Sequence, residues 1–303
     1  MTRHFLSLLD LEPDELLALL DRADALRASR GQPGPRPLEG KTVVILLEKA
    51  STRTRLSFEV GVHELGGQPI TLLAKDTQLG RGEPIADTAR MLSGYAHGVV
   101  YRTFGHERVE ELAANASIPV INGLSERYHP CQLLADLQTI RAERGSLAGT
   151  RVAWIGDGNN MAHSWILAAA QTQMVLRLAA PEAYAPAPDI VGLAQSLGAD
   201  VEVVTDPRQA VEGAHVVTTD VWASMGQEDE NAERARAFRD FRVDASLMAR
   251  ADANAIFLHC LPAHRGEEVS ADVIDGPASR VWIEAENRLH AQKALLERLL
   301  SAQ

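Results

Sequence analysis

Thr42-Val43-Val44-Ile45-Leu46-Leu47 is an almost unbroken apolar run, and Glu48-Lys49-Ala50-Ser51-Thr52-Arg53-Thr54-Arg55 follows it directly. A strand with one wet face alternates apolar and polar residues. An unbroken run instead suits a strand covered on both faces of a parallel sheet. After the polar turn, Thr52 to Leu65 reads as a helix, stopped by Gly66-Gly67. The same unit then repeats: strand Pro69 to Leu73, helix Ile85 to Tyr95, strand Gly98 to Tyr101, helix Glu107 to Ala114, strand Pro119 to Asn122. Alternating strands and helices imply an α/β fold with a mostly parallel sheet.

Upstream, Asp10 to Arg30 reads as a helix, with Leu16, Leu17, Leu19, Leu20 and Leu26 near a 3.6-residue period and Pro13 in its first turn. Downstream, His129 to Arg144 reads as a long helix, and Gly145 and Gly149 mark a boundary. A second α/β series opens with Arg151-Val152-Ala153-Trp154-Ile155 and continues through strands at Val175 to Ala179, Val201 to Thr205, His215 to Thr219 and Ala255 to His259. Ala285 to Leu300 reads as a closing helix. The expected fold class is therefore α/β with two domains, each a mostly parallel sheet flanked by helices. The expected boundaries are residues 1–143, residues 144–284, and a C-terminal helix over 285–303 that packs back towards the first domain.

The chain has 303 residues, long enough for two domains. With 30 Lys and Arg against 41 Asp and Glu, its net charge is −11, which disfavours broad binding to nucleic acid. A local basic pocket can still take a small anion on an acidic surface. Cys131 and Cys260 match no zinc spacing and no Cys-x-x-Cys motif, and such sparse usage fits a reducing, cytoplasmic location. The first residues lack the core of a signal peptide, and no run approaches the ~20 apolar residues of a membrane helix.

Ser51 to Arg55 carries the most chemistry. Ser51 is a natural N-cap, and the next backbone N–H groups lie at a helix N-terminus, where unpaired donors and partial positive charge favour an anion. Ser51, Thr52 and Thr54 add hydroxyls, and Arg53 can grip two phosphate oxygens at once. The plainer alternative is a capped surface helix with two solvated arginines. Three hydroxyls and two guanidiniums within five residues favour the anion. The Gly-x-x-x-x-Gly-Lys-Ser/Thr frame of a Walker loop is absent.

Glu48-Lys49-Ala50-Ser51-Thr52-Arg53-Thr54-Arg55 resembles the carbamoyl-phosphate signature of the aspartate and ornithine carbamoyltransferase family. The resemblance extends through Leu79-Gly80-Arg81-Gly82-Glu83, Asp87-Thr88-Ala89-Arg90, His129-Pro130-x-Gln132, Asp157-Gly158-Asn159-Asn160, Asp220-Val221-Trp222-x-Ser224-Met225-Gly226, His259-Cys260-Leu261-Pro262 and Glu284-Ala285-Glu286-Asn287-Arg288, in the family's order. It implies transfer of a carbamoyl group from carbamoyl phosphate to an amine, with no cofactor and no metal. It also implies a homotrimer with sites at subunit interfaces, in which Gln78 is lent to the neighbouring subunit. The residues it assigns to carbamoyl phosphate are Ser51, Thr52, Arg53, Thr54, Gln78, Arg102, His129, Gln132, Cys260, Leu261 and Arg288. Those it assigns to the amino acid, ornithine, are Asn160, Asp220, Ser224 and Met225. Arg102, His129, Asp220 and Cys260 are the catalytic candidates.

Each motif has a plainer alternative. His129 and Gln132 also suit a helix start with a half-buried His. Asp220 also suits a cap before an exposed loop. Cys260 next to His259 suggests an activated thiol, but neighbours on a strand point to opposite faces. Gly156-Asp157-Gly158 resembles the start of a dinucleotide fingerprint, yet Met161 stands where the third glycine belongs. The rival readings are thus a carbamoyltransferase for putrescine, acetylornithine or aspartate, a nicotinamide-dependent dehydrogenase, and a non-enzymatic binder of phosphorylated metabolites.

Overall fold

The computed structural model describes residues 2–223 and 231–301. Two compact units emerge: Met1–Gln138 with Glu286–Gln303, and Thr139–Ala285. The strands are β1 Thr42–Leu47, β2 Gln68–Leu73, β3 Gly98–Arg102, β4 Val120–Leu124, β5 Arg151–Ile155, β6 Val175–Ala179, β7 Asp200–Val204, β8 Val216–Thr219 and β9 Ile256–His259. The helices are α1 Pro13–Ala28, α2 Thr52–Glu64, α3 Ile85–Tyr95, α4 His106–Asn115, α5 Pro130–Arg144, α6 Asn160–Thr172, α7 Pro188–Ser196, α8 Pro207–Val211, α9 Asn231–Ala237, α10 Ala245–Met248, α11 Ala271–Ile274 and α12 Val281–Leu300.

In the first unit the sheet order is β2-β1-β3-β4, and in the second β7-β6-β5-β8-β9. Every strand pair is parallel. β1, β3, β5 and β8 are covered almost throughout and take interior positions; β2 and β7 keep partly exposed residues and form one edge of each sheet, while β4 and β9 at the other edges are also buried.

Both sheets reverse their winding at one point. In the first, β1 has β2 on one side and β3 on the other; in the second, β5 lies between β6 and β8. Connections on the two sides of such a point leave on opposite faces, so a crevice opens at the strand ends. The ends at the first crevice are Leu47 and Arg102, which are register partners. Those at the second are Ile155 and Thr219. The sequence motifs Ser51 to Arg55, Gly156 to Asn160 and Asp220 begin just past these ends.

Two helix starts differ from the sequence reading. The expected helix from Asp10 is divided: Leu8–Asp10 forms a separate 3-10 turn, and α1 begins at Pro13. Glu12, which precedes the proline, is extended at φ −69° and ψ 155°, as the clash with a proline ring demands. α12 starts at Val281 rather than Ala285, which places Glu284 in its first turn. Val281, Trp282 and Ile283 are better strand than helix formers, so their local preference hid that turn. From Glu286 onward α12 belongs to the first unit. There it is tied by Glu297 to Arg22 on α1 at 2.8 Å and by Lys293 to Glu64 on α2 at 2.7 Å. Among the described residues no helix is long and apolar enough to cross a membrane.

Candidate functional site

The first crevice is built on the start of α2. Ser51 is extended and accepts from Thr54 N–H through its Oγ at 3.3 Å, so it is the N-cap. The loop before it is pinned by Glu48. That carboxylate accepts from Arg108 Nε at 3.2 Å and Nη2 at 2.5 Å, and from the Thr103 hydroxyl. Burial opposes the charge on Glu48, but those donors outweigh it and hold the carboxyl below its ordinary range. Of the two guanidiniums in the motif, Arg55 is committed to Glu59 at 2.9 Å. Arg53, half-buried on the first turn, has no ion-pair partner among the described residues.

Two further arginines converge on Thr54, whose hydroxyl accepts from Arg102 Nη1 at 3.4 Å and from Arg288 Nη2 at 3.5 Å. Arg288 Nη1 donates to Gln132 Oε1 at 2.7 Å, and Gln132 Nε2 donates to Asp136 Oδ1 at 2.8 Å. Gln292 completes the cradle. With its amide oxygen turned towards Arg288, the orientation that hydrogen bonding selects, it accepts from Arg288 Nε and Nη2 at 2.9 Å each. Thr54, Arg102, His129, Gln132 and Arg288 are all buried. Burial pushes the His129 imidazole well below its ordinary pKa, and Arg288 and Arg102 push the same way, so His129 is neutral. A neutral imidazole can offer one N–H to an oxygen without competing for a proton. Two buried cations beside a capped helix N-terminus make this a place for a dianion.

Ser51, Thr52, Arg53, Thr54, Arg102, His129, Gln132 and Arg288 are all in the first unit. Gln78 stands apart: its side chain is exposed and accepts from Arg81 Nη1 at 3.4 Å, and among the described residues no hydrogen bond joins it to the Thr54 cluster. Gln292 and Glu48 as anchors were not singled out from the sequence. Gln292 lies one helical turn after Arg288, a spacing that could have suggested it. Cys131 faces the core and donates to Asn122 O at 3.4 Å; burial pushes its thiol up to about 12, which leaves it inert.

In the second unit, Asn159 caps α6 by accepting from Met161 and Ala162 N–H, and it donates from Nδ2 to Asp220 Oδ2 at 3.1 Å. Asp220 Oδ1 accepts from Val221 N–H at 2.8 Å and from Cys260 Sγ at 3.1 Å. Asp220 and Cys260, both candidates from the sequence, therefore meet, and Asn159, next to the expected Asn160, holds the other carboxylate oxygen, a contact not singled out from the sequence. Asn160 begins α6 and is half-buried. Both ring nitrogens of His259 have partners, Nε2 meeting Glu268 Oε1 at 3.2 Å and Nδ1 accepting from Leu261 N–H at 2.9 Å, while a ring nitrogen still lies within 4.8 Å of the Cys260 sulfur, which itself donates to Asp220. Behind Asp220, Arg234 donates to Asp157 Oδ2 and to Trp222 O, each at 2.8 Å. Ser224 and Met225 lie outside the described residues.

Gly158 bears on the dinucleotide alternative. In that fingerprint the second glycine lets a pyrophosphate approach the backbone. Here a Cβ on Gly158 would lie 2.2 Å from Pro186 N and 2.6 Å from Tyr184 O, so the space is filled by the chain itself. Gly158 N–H donates to Tyr184 O at 2.8 Å.

Comparison with known proteins also gives two parts, but with the C-terminal helix counted in the second. The family model described as the carbamoyl-P binding domain of aspartate/ornithine carbamoyltransferase matches residues 3–142, and that of the Asp/Orn binding domain matches residues 148–299. An anabolic ornithine carbamoyltransferase from Pseudomonas aeruginosa is 55% identical over 299 residues, covering 98% of this chain and 97% of the relative. An ornithine carbamoyltransferase from Methylococcus capsulatus is 56% identical over 300 residues, covering 99% of each. Among solved structures, the ornithine carbamoyltransferase of Pyrococcus furiosus superposes with a TM-score of 0.93 at 48% identity, over 97% of this chain and 96% of that one. The anabolic enzyme of Campylobacter jejuni superposes at 0.94 with 39% identity over 100% of both chains.

Proposed function

This chain belongs to the aspartate/ornithine carbamoyltransferase family, and on that premise we propose that it carbamoylates the side-chain amine of L-ornithine, giving L-citrulline and phosphate for arginine biosynthesis. The single observation that carries the reading is the convergence of Arg102 and Arg288 on Thr54 at the N-terminus of α2. The phosphate is assigned to Ser51, Thr52, Arg53 and Thr54 with Arg102 and Arg288. The carbonyl oxygen is assigned to Thr54, Arg102 and His129, whose donors stabilise the charge that develops as the tetrahedral centre forms. Gln132 holds Arg288 in place and reaches the carbamoyl amide.

Ornithine is assigned to Asn160 and Asp220, with Ser224 and Met225 in the loop that follows. Cys260 and Leu261 line the reacting end, with the Leu261 carbonyl accepting from the substrate. The amine attacks directly: its nitrogen bonds to the carbonyl carbon, the carbon–oxygen bond to phosphate breaks, and the phosphate departs with that electron pair and takes the amine's proton. Carbamoyl phosphate is already activated, so this step calls for no cofactor. The working form is a homotrimer in which Gln78 serves a neighbouring subunit, and its location is the cytoplasm. The two free thiols suit that compartment.

The costly part is the amine. An ordinary side-chain ammonium has a pKa of about 10.4, so near pH ~7.4 roughly one molecule in a thousand is neutral, a cost of about 4 kcal/mol. Asp220 attracts the ammonium form, so it orients the group but does not deprotonate it. Because His129 is already neutral at ordinary pH, the amine governs the profile. At subsaturating ornithine, kcat/KM is expected to rise about tenfold per pH unit through the neutral range. A profile flat from about pH 6 to 9 would remove this account.

The reading itself is tested by citrulline formation against a panel of ornithine, putrescine, acetylornithine and aspartate. Turnover confined to ornithine supports it; preferred turnover of any other acceptor overturns the ornithine assignment. Phosphate-dependent stabilisation without any turnover would leave only a binding protein.

A further inference from the structure

β9 ends at His259, and the chain turns sharply to present Cys260 and Leu261. Leu261 has a φ of +57°, a left-handed conformation that residues with a Cβ rarely adopt. Such a backbone persists only where its surroundings over-determine it. Leu261 N–H donates to His259 Nδ1 at 2.9 Å, so the turn leans on the imidazole beside it. A backbone N–H can only donate, hence Nδ1 carries no proton. Nε2 then carries it and donates to Glu268 Oε1 at 3.2 Å. The same oxygen accepts from His264 N–H at 2.6 Å. From the other side, His259 N–H donates to Glu284 Oε2 at 2.9 Å.

The side chains of His259 and Glu268 are both 0% exposed, and Glu268 Oε2 is buried with no hydrogen-bond partner. A buried carboxylate with one oxygen unsatisfied is costly, but its other oxygen is the acceptor for both His259 and His264 N–H, donors that an apolar side chain would leave unpaired. What the carboxylate does is fix the tautomer and the ring plane of His259, in the way an outer partner orients an imidazole that serves something else.

We infer that Glu268 is a positioning residue for the acceptor half of the site, acting through His259 to hold the Leu261 turn and so the Cys260 thiol against Asp220. The inference rests on the assignment of Asp220 and Cys260 to the amino acid. Glu268 touches no substrate. It sets where the Leu261 carbonyl and the Cys260 thiol stand relative to the reacting amine.

The test uses the full-length enzyme and a double-mutant cycle. Glu268→Ala is expected to lower kcat/KM for ornithine by about 30-fold while the KM for carbamoyl phosphate stays within about threefold. His259→Phe removes the acceptor for Leu261 N–H and should give the same selective loss. If Glu268 acts through His259, the double variant is no worse than His259→Phe alone, to within about threefold. Glu268→Gln keeps an oxygen for His259 Nε2–H and should recover most of the activity.

Ornithine kinetics unchanged in Glu268→Ala, multiplicative losses in the double variant, or equal losses towards both substrates with a lowered melting temperature each overturn the inference. A measurement on the unsubstituted enzyme guards against variants that fail to fold. Nitrogen-15 NMR of the His259 ring, assigned by its absence in His259→Phe or by residue-specific labelling, should show the proton on Nε2; a proton on Nδ1 overturns the network. Should the unsubstituted enzyme form no citrulline, the functional assignment fails, and the tautomer still decides whether the Glu268–His259–Leu261 chain exists.

Discussion

Arg53→Ala is expected to lower kcat/KM for carbamoyl phosphate by about 10²–10⁴-fold and to abolish the thermal stabilisation that phosphate confers. The magnitude follows from what the side chain can do. Arg55 is held by Glu59, and Arg288 is engaged with Gln132, whereas Arg53 stands half-buried on the first turn of α2 without an ion-pair partner among the described residues. It can give two parallel hydrogen bonds to one phosphate at about 1.5–3 kcal/mol each, hence about 3–6 kcal/mol in all. Its own removal disturbs little, since α2 keeps the Ser51 cap and the Phe58 and Val62 core contacts. Steady-state kinetics and melting curves with inorganic phosphate are the measurements. A loss of less than about tenfold would mean that the helix start and the two buried arginines hold the phosphate without it.

Asp220→Asn is expected to cost about 2–5 kcal/mol in kcat/KM for ornithine, or about 30- to 5,000-fold, with the KM for carbamoyl phosphate little changed. The carboxylate accepts from three donors at once: Asn159 Nδ2, Val221 N–H and the Cys260 thiol. An ionised carboxylate only accepts, whereas an amide must turn its NH₂ towards one of those donors. The substitution therefore loses the negative charge offered to the substrate's ammonium and also sets donor against donor. Competition between the two effects is resolved by comparing substrates. Lost attraction for the ammonium appears in ornithine kinetics alone, while a collapsed pocket would also lower the melting temperature. Ornithine kinetics within about fivefold of the unsubstituted enzyme would show that Asp220 is a structural cap and not a substrate contact.

The expected anion site was legible because its physics is local. A Ser N-cap, two Thr hydroxyls and an Arg on one helical turn follow from positions 51 to 54, whatever the rest of the chain does. The acceptor half was less so. Asp220 could be named as a carboxylate after a strand, but its neighbours are Asn159, 61 residues earlier, and Cys260, 40 residues later. Asn160 was named from the family resemblance, and nothing in the sequence distinguished the part its neighbour Asn159 plays. Only the cap geometry, in which Asn159 Oδ1 takes the helix N–H groups and Nδ2 is left for Asp220, separates them. Glu268 gave no sequence signal at all, since a Glu-Glu pair in a polar loop reads as solvated surface, yet its side chain is 0% exposed.

By itself, the sequence determined the repeating strand–turn–helix unit, the two parallel sheets and the Ser51-capped helix N-terminus. These follow from hydrophobic period, capping and charge within a few residues of one another. The tertiary structure decided which strands are neighbours, and with that which side chains share a crevice. The orders β2-β1-β3-β4 and β7-β6-β5-β8-β9 set Arg102 beside the Ser51 loop and Asp220 beside Asn159. Arg288 reaches Thr54 across 234 residues and Gln132 across 156, contacts that exist because the last helix returns to the first unit. Strand order and helix return are fixed by burying every apolar face of the chain at once, a condition on the whole molecule that no short stretch of it can express.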